Sequence, residues 1–354
     1  MNLPEEKERV VISSLEKPFG RAHGANPEKL YAAMGLSLPK RVVDFSTNAN
    51  ALPCPPIPAI DLPRCLSEYP DDEALALRTL VAEREGCSLD AVLFTNGSNE
   101  ALYLLASFFS GRSAAVLQPA YGEYRRALEA FGAPTIDLFS LRDVVGGAFD
   151  LVFICNPCNP TGTYIPFEEL ERLARENPRT VFAIDQAYLD FLLPDAERVS
   201  LELRSLPNLL LLRSLTKLYH LCGARLGYVL ASPEWIARLG NRQPTWSVNA
   251  VAQGAALSLM KDESYARRTR AFYAAETPRF MESLARSGCR VRPSRVHFFL
   301  IEVEDDARVI RGLLEQGLVV RHTRNFPGLD GSCIRVATRL PDENDLLVQA
   351  LSNL

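Results

Sequence analysis

Between residues 90 and 230, short apolar runs alternate with amphipathic helical patterns, and this alternation limits the possible architectures more than any other feature of the chain. The runs AAVLQP, FDLVFIC, TVFAID, NLLLLRS and LGYVLA are nearly continuous in apolar residues, as parallel strands covered on both faces must be. Between them, NEALYLLASFF, GEYRRALEAFG and PFEELERLARE carry helical spacing with polar faces turned outward. Strand, helix and strand repeated in this way predict an α/β domain built on a wound, mostly parallel sheet.

After residue 245 the texture changes. WSVNAVAQGAALSLM and ESYARRTRAFYAAETPRFMESLARSG read as long helices, and CRVRPS, HFFLIEV, GLVVRH and CIRVATR as strands of a smaller α+β domain. The first 50 residues are broken by Gly20, Gly24, Pro27 and Gly35, and the PCPPIP run at 53–58 continues neither a helix nor a central strand. The expected division is an N-terminal segment (1–50) packing with the small domain, a large domain (51–255) and a small C-terminal domain (256–354). A length of 354 residues, at about 150 per domain, agrees with two folded units.

Charge narrows the partners. Thirty-nine Lys and Arg against 43 Asp and Glu give a net charge of -4 with no basic run, so nucleic acid is not expected. No stretch approaches the ~18 apolar residues of a membrane span, and the N-terminus is charged on both sides of a short apolar patch, so neither a membrane partner nor export is expected. The eight cysteines, at 54, 65, 87, 155, 158, 222, 289 and 333, fit reduced thiols in a cytoplasmic protein. Cys155 and Cys158 form a lone CxxC without the second pair or histidines of a zinc site, so no metal is expected.

Four residues stand where an α/β sheet collects ligands, past the carboxyl ends of apolar strands. Lys217 follows NLLLL, and a partly desolvated amine there is primed to form a Schiff base. Asn159 lies in the turn Asn156-Pro157-Cys158-Asn159-Pro160-Thr161-Gly162, and Asp185 ends TVFAID with Tyr188 three residues on. Taken singly, each has a plainer reading: a solvated loop lysine, a turn asparagine, a carboxylate that caps the next turn.

In order, however, Asn159 to Asp185 is 26 residues, Asp185 to Lys217 is 32 and Lys217 to Arg225 is 8. With this set the chain resembles the fold-type I pyridoxal-phosphate enzymes, the aminotransferase class I/II superfamily, over nearly its whole length. The resemblance implies that pyridoxal 5'-phosphate is bound by Lys217, with Asp185 holding the ring nitrogen protonated. It implies that Asn159 and Tyr188 meet the ring's phenolic oxygen and that Tyr121 stacks on the ring. Lys217, Asp185 and Tyr188 are then the catalytic set. Gly97, Ser98 and Asn99, at the start of a helix, would cradle the coenzyme phosphate with Ser214, Thr216 and Arg225. Tyr69 would reach the phosphate of a neighbouring subunit, which implies a homodimer with shared sites. Arg335, with Asn159 beside it, would grip the substrate's α-carboxylate.

Within the superfamily, the segments His23-Gly24-Ala25-Asn26, DFSTNAN at 44–50, EYPD at 68–71, RSLTKLYHLCGARLGY, PTWSVNAVA and NFPGLDGSCIRVATR resemble the threonine-phosphate decarboxylases of cobalamin biosynthesis and the neighbouring histidinol-phosphate aminotransferases. That likeness implies a phosphorylated amino acid as substrate, its phosphate surrounded by His23, Asn48 and Arg321. It implies decarboxylation of L-threonine O-3-phosphate to (R)-1-aminopropan-2-ol phosphate and CO2, with transamination as the alternative and a non-catalytic coenzyme-binding sensor as a reading of another class. Four features depart from the pattern: HGAN in place of HGGN, the Ala51-Leu52-Pro53-Cys54 stretch, Ala224 after Gly223, and His297 where an asparagine is expected.

Overall fold

The structure is a computed structural model that describes residues 24, 26–56, 60–145, 147–193 and 206–354. In chain order its strands are β1 (Val43–Asp44), β2 (Val92–Thr95), β3 (Ala114–Leu117), β4 (Thr135–Leu138), β5 (Leu151–Cys155), β6 (Val181–Asp185), β7 (Leu209–Ser214), β8 (Gly227–Leu230), β9 (Phe298–Glu302), β10 (Leu318–Val319), β11 (Arg321–His322) and β12 (Cys333–Ala337). A seven-stranded sheet runs in the order β2-β8-β7-β6-β5-β3-β4. The strands from β7 to β4 pair in parallel, and β8 is antiparallel to both of its neighbours.

The apolar runs are continuous because both faces of this sheet are covered. Along β7, Leu209 and Leu211 enter one core and Leu210 and Leu212 the other; along β5, Val152 and Ile154 face one side and Leu151 and Phe153 the other. Each such fully buried side chain contributes about 1.5–3 kcal/mol from burial. The sheet is mostly parallel, as expected, with LGYVLA (β8) as the antiparallel exception. No helix separates β7 from β8, so the chain turns and returns alongside β7 in the opposite sense.

The second sheet, β11-β12-β9, is antiparallel, and β1 pairs in parallel with β10. CRVRPS does not form the expected strand: Val291 alone makes an isolated bridge to Ile301, and Pro293 has no N–H to give a ladder. The helix Glu263–Arg286 joins the two halves of the molecule. Tyr265, Ala266 and Tyr273 sit in the core under the large sheet, whereas Phe280 and Leu284 pack with Phe299, Ile301 and Val336 beneath the small one. The carboxyl ends of β5, β6 and β7 lie side by side, which sets Cys155, Asp185 and Ser214 along one rim of the large sheet.

Candidate active site

That rim forms the floor of a cleft with about 900 Å³ of empty space. Asn48, Ser98, Asn99, Tyr121, Asn159, Asp185, Tyr188, Ser214, Thr216, Lys217, Arg225, Arg321 and Arg335 all border it. Gly97 stands directly behind Arg225. Tyr69 does not reach the cleft; it is 78% exposed and stacks on Trp246 with ring centroids 4.4 Å apart. His23 lies outside the described residues.

Asp185 is buried at the end of β6. It accepts hydrogen bonds from the Tyr124 hydroxyl at 2.8 Å and from the Ala187 N–H at 2.9 Å. Burial pushes its pKa up, while these two donors and the charge of Lys217 hold it down. A buried carboxylate so supported, with no cation in ion-pair contact among the described residues, suits a cationic ring nitrogen.

Lys217 follows the Ser214-Leu215-Thr216 turn, and no carboxylate among the described residues lies within ion-pair distance of it. Burial lowers its pKa, and the charges of Arg335 and Arg225 add to that effect while Cys222 and Asp185 oppose it. An amine held toward its neutral form is the nucleophile that a coenzyme aldehyde requires.

The helix Gly97–Ala106 begins at the cleft, and its N-cap Asn96 makes no side-chain cap, so the N–H groups of the first turn are left open toward an anion. Gly97 has φ +70°, and a Cβ placed there would lie 2.7 Å from Arg225 Nη2. Glycine is therefore required twice, for the backbone and for the guanidinium. Ser214 and Thr216 hydroxyls meet at 2.7 Å. Uncapped amides, two hydroxyls and an arginine make a set that fits a phosphate.

At the other end, Arg335 and Arg321 are opposite partners on the adjacent antiparallel strands β12 and β11, so both side chains rise from one face. Arg335 donates to Asn159 Oδ1 and, at 2.5 Å, to the Ser46 carbonyl, and its buried Nε has no partner. Arg321 touches His322 Nε2, donates to Asn325 Oδ1 at 2.9 Å, and lies 5.5 Å from the Phe326 ring centroid. Both are 5% exposed. Burial, helped by the charge of Arg335, pushes the Arg321 pKa down to about 9, and burial takes Arg335 to about 10. Two desolvated like charges side by side call for anionic groups between them. Asn48 donates its Nδ2 to the Tyr188 hydroxyl at 3.2 Å and leaves its buried Oδ1 without a partner. One N–H of that amide is spent on Tyr188, and the second is available to an anion.

Several residues of the cleft escaped sequence reasoning. Tyr124, the donor to Asp185, sits on the inward face of the helix Glu123–Ala130, where an aromatic reads as core. Ser46 and Phe326 contribute a carbonyl and a ring, features that no polar-residue search detects. Cys155, read as half of a thiol pair, lines the cleft and accepts the Asn159 N–H at 3.4 Å through sulfur. Among the described residues, no cluster of three or more His, Cys, Asp or Glu could hold a metal.

Residues 40–351 match the aminotransferase class I and II family. Threonine-phosphate decarboxylase of Salmonella typhimurium is 32% identical, over 95% of this chain and 97% of its own length. Histidinol-phosphate aminotransferase 2 of Ralstonia nicotianae is also 32% identical, over 88% of each. Among solved structures, L-threonine-O-3-phosphate decarboxylase of Porphyromonas gingivalis superposes with a TM-score of 0.76 and 29% identity, over 83% of this chain and 92% of that one. The histidinol-phosphate aminotransferase of Clostridium acetobutylicum gives 0.81 and 26%, over 88% and 98%. The chain therefore belongs to the aminotransferase class I and II family and is a pyridoxal-phosphate-dependent enzyme.

Proposed function

We propose that the protein decarboxylates L-threonine O-3-phosphate to (R)-1-aminopropan-2-ol phosphate, the reaction for which its Salmonella relative is named, and serves cobalamin biosynthesis in the cytoplasm. The observation that carries this reading is the cross-strand pair of buried arginines, Arg321 opposite Arg335. A single ligand with an α-carboxylate and a phosphate a few bonds away places one anionic group on each guanidinium. Histidinol phosphate has the phosphate but no carboxylate, so it leaves one of the two charges unanswered.

On this reading each end of the cleft has its work. Lys217 Nζ would be the amine that holds the coenzyme, and Asp185, steadied by Tyr124, would keep its ring nitrogen cationic. The bound coenzyme supplies an electron sink for the electron pair left when the bond to the carboxylate breaks. Arg335 and Asn159 would hold that carboxylate in a fixed orientation, Arg321 would anchor the phosphate, and the Lys217 amine would return a proton to Cα. Gly97, Ser98, Asn99, Ser214, Thr216 and Arg225 hold the coenzyme phosphate.

The working unit is a homodimer. Tyr69, exposed outside its own cleft and stacked on exposed Trp246, would serve the partner's site. No helix among the described residues is long and apolar enough to cross a membrane.

Incubation with O-phospho-L-threonine should release CO2 stoichiometrically with the amino alcohol phosphate and without keto acid. Formation of glutamate from 2-oxoglutarate with histidinol phosphate as donor, in place of CO2 release, would convert the reading to an aminotransferase.

A further inference from the structure

His297 stands where an asparagine is expected, and none of the roles assigned so far includes it. The ring is fully buried at the head of β9, 3.9 Å from Phe191 and 5.0 Å from Tyr273 between centroids. Its Nε2 lies 2.9 Å from the Asn48 carbonyl, which can only accept, so Nε2 carries the proton. Nδ1 has no partner. Burial, with the charges of Arg335 and Lys217, holds the ring neutral with its pKa near 3, so this donor persists across the working pH range.

Asn48 belongs to a segment that touches both ends of the cleft. Two residues earlier, the Ser46 carbonyl takes Arg335 Nη2; at Asn48 itself, the amide holds the Tyr188 hydroxyl, leaving the Tyr188 proton free to donate into the cleft; at Asn50, the N–H is tied to the Lys217 carbonyl at 3.1 Å. We propose that His297 is a positioning residue, whose single hydrogen bond to the Asn48 carbonyl fixes this segment and thereby sets both the aim of Arg335 and the orientation of the Tyr188 hydroxyl. The inference rests on the coenzyme assignment and holds for either reaction.

Three variants of the holoenzyme test it. Glutamine can bring an amide N–H to the place of Nε2, asparagine falls one bond short, and leucine has no donor. In His297→Leu and His297→Asn, KM for O-phospho-L-threonine, or for glutamate should transamination be the reaction, should rise about tenfold, the loss expected when a buried hydrogen bond no longer aligns. The midpoint of the pH titration of the visible absorbance should also move, because the Tyr188 donor is displaced. His297→Gln should retain both properties within about threefold of the parent. Unchanged KM and titration in the asparagine variant, or equal damage from glutamine and asparagine, would overturn the proposal; this pair decides the matter even where the leucine variant does not fold. A colourless parent protein would instead overturn the coenzyme assignment, and this inference with it.

Discussion

Replacing Arg321 with methionine should cripple the reaction while leaving the substrate-free protein within about 1 kcal/mol of its parent's stability, or above it. The guanidinium is 5% exposed, faces Arg335 across the strands, and has its pKa pushed down to about 9 by burial and by that neighbour. Relative to an ordinary arginine this is a fall of roughly three to four decades in proton affinity, or on the order of 4–5 kcal/mol against the charged form. Replacing a buried charge with an apolar side chain of similar volume commonly returns about 1–4 kcal/mol of stability. Against this, His322 Nε2 and Asn325 Oδ1 lose their donor, at about 1 kcal/mol each. The net change should lie between about 1 kcal/mol against the variant and about 2 kcal/mol in its favour, read as an unfolding temperature without substrate close to or above that of the parent. Truncating one member of a buried charge contact costs about 2–5 kcal/mol in binding, so kcat/KM for O-phospho-L-threonine should fall between about 30-fold and several thousand-fold. A variant that loses more than about 1 kcal/mol of stability in the absence of substrate, or that retains kcat/KM within about fivefold, refutes the reasoning that Arg321 is strained until an anion reaches it.

Three further outcomes follow from the same geometry. Lys217→Ala should abolish turnover and the product of borohydride reduction, which mass spectrometry on a tryptic digest would detect on Lys217 in the parent. Gly97→Ala drives a methyl group to 2.7 Å from Arg225 Nη2 at φ +70°, so coenzyme affinity should fall about 10-fold or more in a fluorescence titration, with little change in the far-ultraviolet spectrum. His297, neutral in the fold with a pKa near 3 against ~6.5 when unfolded, contributes stability that is complete above about pH 6.5 and is lost as pH falls toward 3. From pH 7 to pH 5 that loss should be about 2 kcal/mol, measurable by chemical unfolding, and His297→Gln should flatten the dependence.

Much of the architecture was legible in the chain because its physical cause is local. Runs such as LVFIC and LLLLRS must be covered on two faces, and that demand alone yields a layered α/β sheet whose strand ends carry Asp185 and Lys217. The sense of β8 was not legible, since burial gives the same apolar run whichever way a strand points. CRVRPS misled for a related reason: alternation suggests a strand, but pairing depends on what lies alongside. In the site, charged and amide residues announced themselves by type and spacing. Tyr124, Ser46 and Phe326 did not, because a core-facing phenol, a main-chain carbonyl and a ring acquire their role only from neighbours distant in sequence. The opposition of Arg321 and Arg335 is of the same kind, a matter of strand register that thirteen intervening positions conceal.

The pairing of Val43 and Asp44 with Leu318 and Val319 has a consequence for how the protein comes into being. The segment that follows β1 lines the cleft, yet the strand that secures it is made more than 270 residues later. During synthesis the wound sheet has its own cores and local crossovers from which to form, whereas the wall bearing Asn48 must wait for the C-terminal third. The cleft thus gains this wall only once the partner strand of β1 has been synthesised.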